Sequence, residues 1–262
     1  MIGFNHLGRH GRLGNQMFQY AGLRGIAAEH GYDFCIPPSD FQDEWTDHQL
    51  FECFKLTGLT NIGVCPGPYV QEEHFHFDKN LFDKMPDGHN VYGYLQSEKW
   101  FKHIESEIRE DFEFKNNIKE PCQEMIGSVD RPIALHVRRG DYITNCDNHP
   151  PCTKDYYDRA LSHFDSDRTV VVFSDDPAWC NEQFVEDRFL ISEGGDNVAD
   201  LCMMSLCHDF IIANSSFSWW GSWLSTNSDK TIIAPNRWFG DGYTKDHDTS
   251  DLYCPNWKSI NV

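Results

Sequence analysis

The sequence predicts an α/β protein with parallel strands. Three observations carry that reading: short apolar β-branched runs recur through the second half, polar turn residues follow them, and helical patterns fill the gaps between them. Ile133 to Val137, Thr169 to Phe173, Phe189 to Ile191, Phe210 to Ala213 and Thr231 to Ala234 each read as a buried strand. Asp176-Pro177 supplies an N-cap and a first-position proline. From Asn197 to Cys207 the apolar residues Val198, Leu201, Cys202 and Ser205 or Leu206 recur at helical spacing.

The first half opens with a short strand, then Gly8, Gly11 and Gly14, then a helix with Phe18, Ala21, Gly22, Gly25 and Ile26 on one face that stops at Gly31. Asp33 to Ile36 reads as the next strand before Pro37-Pro38. Val91 to Leu95 reads as a later one, followed by Ser97 as N-cap of a helix with Trp100, Phe101, Ile104 and Ile108 on one side. Polar residues 115–131, with a proline and a glycine, read as the junction, which gives domains 1–120 and 121–262.

Composition narrows the function classes. A chain of 262 residues buries a real core in one large or two modest domains. Its net charge of −19 repels a long phosphate backbone, which argues against a nucleic-acid partner. With 40% hydrophobic and 24% charged residues and no long apolar run, the chain reads as packed and soluble, without a membrane span. The N-terminus lacks the basic head and apolar run of a secretory leader, so the expected compartment is the cytoplasm. Ten irregularly spaced cysteines, none as Cys-x-x-Cys, read as mostly reduced thiols.

In open parallel sheets, ligands bind beyond the carboxyl ends of the strands. That rule selects Arg138-Arg139-Gly140-Asp141, Ser174-Asp175-Asp176 and Asn214-Ser215-Ser216-Phe217-Ser218, three polar clusters that should converge. They suit a nucleoside diphosphate: guanidinium groups fork onto phosphate oxygens, and Ser215 and Ser216 open a helix whose amides favour an anion. Asp175 has the acceptors for the N1 and N2 hydrogens of guanine, which adenine does not present. The bland alternatives are arginines that merely pair with carboxylates and serines that merely cap a helix.

The strings His136-Val137-Arg138-Arg139-Gly140-Asp141-Tyr142, Phe173-Ser174-Asp175-Asp176 and Asn214 to Leu224 closely resemble motifs of the α-1,2-fucosyltransferases, glycosyltransferase family 11. Gly11-Arg12-Leu13-Gly14-Asn15-Gln16-Met17-Phe18-Gln19-Tyr20 and Gly93 to Lys99 do so as well. The resemblance implies a GT-B-like scaffold, two Rossmann-like halves with parallel sheets facing across a cleft. It implies an inverting transfer of L-fucose from GDP-β-L-fucose to the 2-hydroxyl of a terminal galactoside, with no metal or other cofactor. The first 120 residues then form the acceptor side and the remainder the GDP-fucose side.

By that likeness, and by likeness to the α-1,6- and protein O-fucosyltransferases, Arg138 holds the β-phosphate, His136 sits near the nucleotide, Asp175 meets guanine, and Ser215, Ser216 and Phe217 meet the diphosphate. Arg139, Ser174 and Asn214 join this donor set. Arg12, Asn15 and Gln16 are expected at the acceptor or cleft. Asp141 is a candidate base, with a structural brace to arginine as the favoured reading, and Asn15 is a candidate for orienting the acceptor or leaving oxygen. The acceptor implied is a galactose-terminated oligosaccharide or a lipid-linked glycan. Lack of an N-terminal anchor departs from the Golgi members and points to a bacterial or viral enzyme.

Competing signals are weaker. Arg139-Gly140-Asp141 matches the cell-adhesion tripeptide but follows a buried strand. Asp165-Ser166-Asp167 precedes its strand and Asp246-His247-Asp248 lies in a charged stretch, so both read as solvated loops rather than metal ligands. Cys202, Cys207 and His208 diverge around a helix, while Cys146, His149 and Cys152 leave a loop bridge or metal open. Trp219, Trp220 and Trp223 fall at helical spacing, so core packing outweighs a lectin's sugar-binding face. No Gly-Lys-Ser/Thr follows the early glycines, which excludes a P-loop.

Overall fold

The computed structural model describes residues 1–39, 48–193 and 195–262. Among them the chain divides into two units: Met1–Lys115 with His247–Cys254, and Asn116–Asp246 with Pro255–Val262.

The first unit runs β1 (Ile2–Gly3), α1 (Leu13–His30), β2 (Phe34–Ile36), α2 (Leu50–Cys53), β3 (Asn61–Ile62), β4 (Tyr69–Gln71), α3 (Lys79–Lys84), β5 (Asn90–Tyr92) and α4 (Glu105–Asp111). Its five strands pair in the order β3-β2-β1-β5-β4, each pair parallel. The order reverses between β1 and β5, so the loops after these two strands open at the switch point. Helix α1 buries Met17, Phe18, Ala21, Gly22, Gly25 and Ile26. It ends at Gly31, whose φ of 67° is the left-handed cap that glycine adopts without steric cost. Residues 247–254 dock through Asp251: its carboxylate accepts the Phe77 N–H at 3.0 Å, and its carbonyl accepts the Ser97 hydroxyl at 3.0 Å.

The second unit runs α5 (Asn116–Ile126), β6 (Ile133–Val137), α6 (Lys154–Leu161), β7 (Val170–Ser174), α7 (Pro177–Gln183), β8 (Phe189–Ile191), α8 (Asn197–Leu206), β9 (Asp209–Ile211), α9 (Ser216–Leu224), β10 (Ile232–Pro235), α10 (Asp241–Thr244) and β11 (Lys258–Ile260). Its six strands pair in the order β11-β10-β9-β6-β7-β8, again all parallel. This is the doubly wound order, with its switch point between β6 and β9. Alternate β6 residues Ile133, Leu135 and Val137 join Tyr156, Tyr157, Val170 and Val172 in one core cluster. The Tyr156 hydroxyl donates to the Ile212 carbonyl at 2.7 Å, which gives this buried phenol its partner.

The five strands expected in the second half are present within a residue or two of their predicted limits, and Asp176 caps α7 by accepting the Trp179 N–H. Other expectations need correction. The two units part between Lys115 and Asn116, at the start of the polar junction, but most of that stretch is helix α5 and the 120/121 boundary falls inside it. Cys122 and Ile126, four residues apart, are buried, and α5 packs on α8; this packing outweighs the local disadvantage of Pro121. The strand over Val91 to Leu95 stops at Tyr92, and Leu95 takes a φ of 53°. The helix expected after Ser97 is broken into 3-10 turns at Glu98–Trp100 and Lys102–Ile104 before α4. Here the Trp100 carbonyl packs directly onto Gly25 of α1, and Trp100 and Phe101 are both fully buried. Strands β3, β4 and β11 are short, largely exposed edge strands without readable alternation.

Candidate active site

At the carboxyl end of the second sheet the three polar turns converge. Arg138 follows β6 directly, and Asp175 directly follows its neighbour β7, which sets them side by side at 2.6 Å. Arg138 also pairs with Asp141, so its guanidinium, 15% exposed, lies between two carboxylates. The other Asp175 oxygen accepts the Arg139 backbone N–H at 2.8 Å. Arg139 turns the opposite way, donating to Asp176 at 3.0 Å and lying 4.3 Å from the Trp179 ring centre. That hydrogen bond, then the Trp179 N–H, holds the Asp176 carboxyl below its usual pKa.

The third turn joins through two bridges. The Tyr142 hydroxyl donates to the Asn214 carbonyl at 3.0 Å, and His136 Nδ1 lies 2.9 Å from the Ser218 hydroxyl in α9. Phe217 rests beside the His136 ring at 5.4 Å. Ser215 occupies the N-cap position of α9, yet its side chain makes no capping bond. Helical geometry leaves the first-turn amides of α9 without a carbonyl partner inside the helix, a polarity that favours an anion. Burial, then the nearby Arg138 charge, pushes the His136 pKa down to about 3, so this imidazole is neutral in the physiological range.

The expected donor residues thus separate by what their side chains already hold. Asn214 is buried: its amide donates to the Pro150 and Trp238 carbonyls at 3.0 and 2.9 Å, and its oxygen accepts from the Cys152 thiol. It positions the turn from within instead of presenting a side chain at the rim. The Ser174 hydroxyl accepts the Asp176 N–H at 2.9 Å and shapes its own turn. Both Asp175 oxygens are engaged with the arginine turn, and the Asp141 carboxylate pairs with the Arg138 guanidinium.

The remaining expected residues lie in the first unit. Arg12 is exposed at the N-cap of α1. The Asn15 oxygen accepts from Gln96 at 2.9 Å, and the Gln16 oxygen accepts the Gln49 N–H at 3.1 Å. Asn15 is thereby tied to the Gly93-to-Ser97 turn at the end of β5.

Among the described residues, no three His, Cys, Asp or Glu side chains form a group able to hold a metal ion. No two cysteines are joined in a disulfide among the described residues. Trp219, Trp220 and Trp223 are buried core residues, which removes them as a lectin face. Asp246-His247-Asp248 is not wholly a free loop, since Asp248 lies beside His76 at 3.8 Å.

Comparison with known proteins then decides the family. The model of glycosyl transferase family 11 matches residues 67–261. The chain belongs to glycosyl transferase family 11. This family 11 chain is 28% identical to the O-antigen biosynthesis glycosyltransferase WbnK of Escherichia coli, over 93% of its own length and 97% of WbnK. It is 29% identical to an α-1,2-colitosyltransferase of Escherichia coli, over 87% and 90% of the two chains. Galactoside α-(1,2)-fucosyltransferase 2 of Sus scrofa is 24% identical over 96% of this chain and 78% of that protein.

Two solved structures share the GT-B-like fold of this family 11 chain. Fucosyltransferase NodZ from Bradyrhizobium aligns with TM-score 0.55 and 13% identity, covering 87% of this chain and 96% of NodZ. POFUT1 in complex with GDP aligns with TM-score 0.53 and 13% identity, covering 87% and 94%.

Two residues of the rim had no role assigned from the family 11 strings. Tyr142 closes the bridge to Asn214, and its place at the end of the arginine string was the available signal. Trp179, three residues after the Asp176 cap, carries the Arg139 guanidinium on its ring. Nothing in the local sequence pairs it with a residue 40 positions earlier, because that contact depends on β6 and β7 being neighbours.

Proposed function

We propose that this family 11 chain is an inverting fucosyltransferase that moves L-fucose from GDP-β-L-fucose to the 2-hydroxyl of a terminal galactoside without a metal. The observation that carries this reading is the rim at the second switch point, where a braced Arg138 guanidinium shares its loop with Tyr142, whose hydroxyl bonds the turn that opens α9. As the bond from the anomeric carbon to phosphate oxygen breaks, negative charge grows on the diphosphate and positive character on the sugar ring. A fixed guanidinium and helix-terminal amides answer that negative charge, and one such donor typically contributes ~3 kcal/mol to lowering the barrier.

In this reading Arg138 and the first turn of α9, with Ser215, Ser216 and Phe217, meet the diphosphate, and neutral His136 packs behind them. Asp141 and Asp175 hold the guanidinium in place. Asn15, fixed by Gln96, serves the acceptor side, as do Arg12 and Gln16. The α-1,2 linkage is supported by the names of the colitosyltransferase and of the porcine relative, and the two Escherichia coli relatives support a bacterial setting. The same colitosyltransferase favours a second reading, colitose as the sugar transferred.

The test is a transfer assay with GDP-fucose, and in parallel the nucleotide sugar of colitose, against galactose-terminated oligosaccharides, with linkage analysis of the product. An α-1,2-fucosylated galactoside, formed equally with and without chelator, is the expected result. Transfer of colitose alone selects the second reading, and loss of activity on chelation removes the metal-free claim. Absence of both GDP binding by calorimetry and turnover overturns the proposal.

A further inference from the structure

The switch point of the first sheet has its own chemistry, different from that of the second. His6 and His10 come from the loop after β1, and Tyr92 and Tyr94 from the end of β5, the strands between which the order reverses. With Tyr69 of β4 they form an unbroken row of rings. His6 lies 4.7 Å from Tyr69 and 5.4 Å from Tyr92, while His10 lies 5.0 Å from Tyr92 and 6.3 Å from Tyr94. The two ends of the row are open, Tyr69 being 48% and Tyr94 39% exposed.

Behind the row, fully buried Gln19 clamps the two loops together, its amide donating to the His10 and Gly93 carbonyls at 3.3 and 3.4 Å. The Gln19 oxygen is buried there with no hydrogen-bond partner, and so is His6 Nδ1. Burial, then the charge of Arg9, holds both imidazoles below their ordinary pKa, so near pH 7 each is neutral.

We propose that the ring row Tyr69, His6, Tyr92, His10 and Tyr94 is the platform on which this enzyme seats the pyranose of its acceptor glycan. The assignment rests on the transferase reading above and adds the residues that select its acceptor. A pyranose has one face of C–H groups, which lies against aromatic rings, and a rim of hydroxyls, which exchange hydrogen bonds with neutral imidazoles. The row supplies both. The Gly93-to-Ser97 turn carries Tyr94 at the end of the row and Gln96 on Asn15, so one turn orders the platform and the residue proposed to orient the acceptor.

The experiment compares Tyr69→Ala and Tyr94→Ala with Tyr69→Phe and Tyr94→Phe in the full chain; both positions are open enough for the fold to tolerate the change. The acceptor KM of each alanine variant should rise about tenfold, the loss of one stacking contact of about 1.4 kcal/mol, with kcat and the GDP-fucose KM within about twofold. The phenylalanine variants keep the ring and should restore the acceptor KM. Unchanged acceptor KM in the alanine variants of an active enzyme, or an equal rise in donor KM, overturns the platform.

Saturation-transfer NMR with methyl β-D-galactopyranoside separates this failure from failure of the transferase reading. A galactoside signal in the wild type that falls in Tyr69→Ala upholds the platform even if no turnover is found. No signal in the wild type, alongside normal GDP binding, overturns the platform and leaves the donor reading standing.

Discussion

The Arg138 guanidinium lies 2.6 Å from the Asp175 carboxylate, the two residues standing directly beyond the ends of adjacent strands β6 and β7. Because Val137 pairs with Ser174 in that ladder, the next residue of each strand meets the other by register alone. Asp175 uses its second oxygen on the Arg139 amide, so one carboxylate fixes both the side chain and the backbone of the arginine turn.

Replacing Arg138 by lysine should be nearly as harmful as replacing it by alanine. An ammonium does not fork onto two phosphate oxygens, so kcat/KM should fall by about 10²–10³ in both variants. Steady-state rates decide this, and a lysine variant with near-complete activity removes Arg138 from the mechanism.

Asp175→Asn puts an amide against the guanidinium and weakens the brace, so kcat/KM should fall about tenfold or more, the scale of one charge-assisted hydrogen bond. A brace lowers GDP and ADP binding together. A guanine-reading carboxylate, the role expected from the sequence, instead lowers GDP selectively. Calorimetry with both nucleotides distinguishes the two.

His136 is protonated in the unfolded chain below its ordinary pKa of 6.5 and stays neutral in the fold down to about 3. Its depressed pKa means the unfolded state binds the extra proton, so this contribution to stability is complete above pH 6.5 and is lost as pH falls towards 3. Melting temperatures of the wild type and His136→Gln between pH 4 and pH 7 should converge on acidification; parallel curves contradict the buried neutral imidazole.

Glu72 shows the opposite sign. One of its oxygens accepts the Tyr94 and Leu95 N–H groups at 2.7 and 3.2 Å, and burial raises its pKa from 4.5 to about 8. The native state retains a proton that the unfolded state loses, so stability declines as pH rises from 4.5 to about 8, with a slope of at most about 1.4 kcal/mol per pH unit. Glu72→Gln removes the titration while keeping a carbonyl acceptor. The wild type should therefore lose stability relative to the variant across this range in chemical denaturation, and a constant difference contradicts the shift.

Gly25→Ala sets two effects against each other. Helix propensity favours alanine by about 1 kcal/mol. The new Cβ, however, would stand 1.9 Å from the Trp100 carbonyl oxygen, a backbone atom that moves only if the 98–104 segment moves with it. Overpacking should win, giving a net loss of about 1–3 kcal/mol by urea denaturation.

The order of residues along the chain determined most of the second unit. Runs such as Ile133 to Val137 are buried on both faces and so are largely apolar without alternation, while Asp176-Pro177 and Asp196 mark helix starts by local chemistry alone. The arginine and serine turns were legible as site material because in parallel sheets the strand ends always collect the ligand-facing loops. Only the tertiary structure decided which of their side chains remain available. Asn214 is spent on Pro150 and Trp238, Asp175 on two arginines, and the His6-to-Tyr94 row exists because β4, β5 and β1 are neighbours. Propensity and periodicity act over a few residues; these contacts join positions 24 to 86 residues apart, and strand order, a property of the whole sheet, creates them.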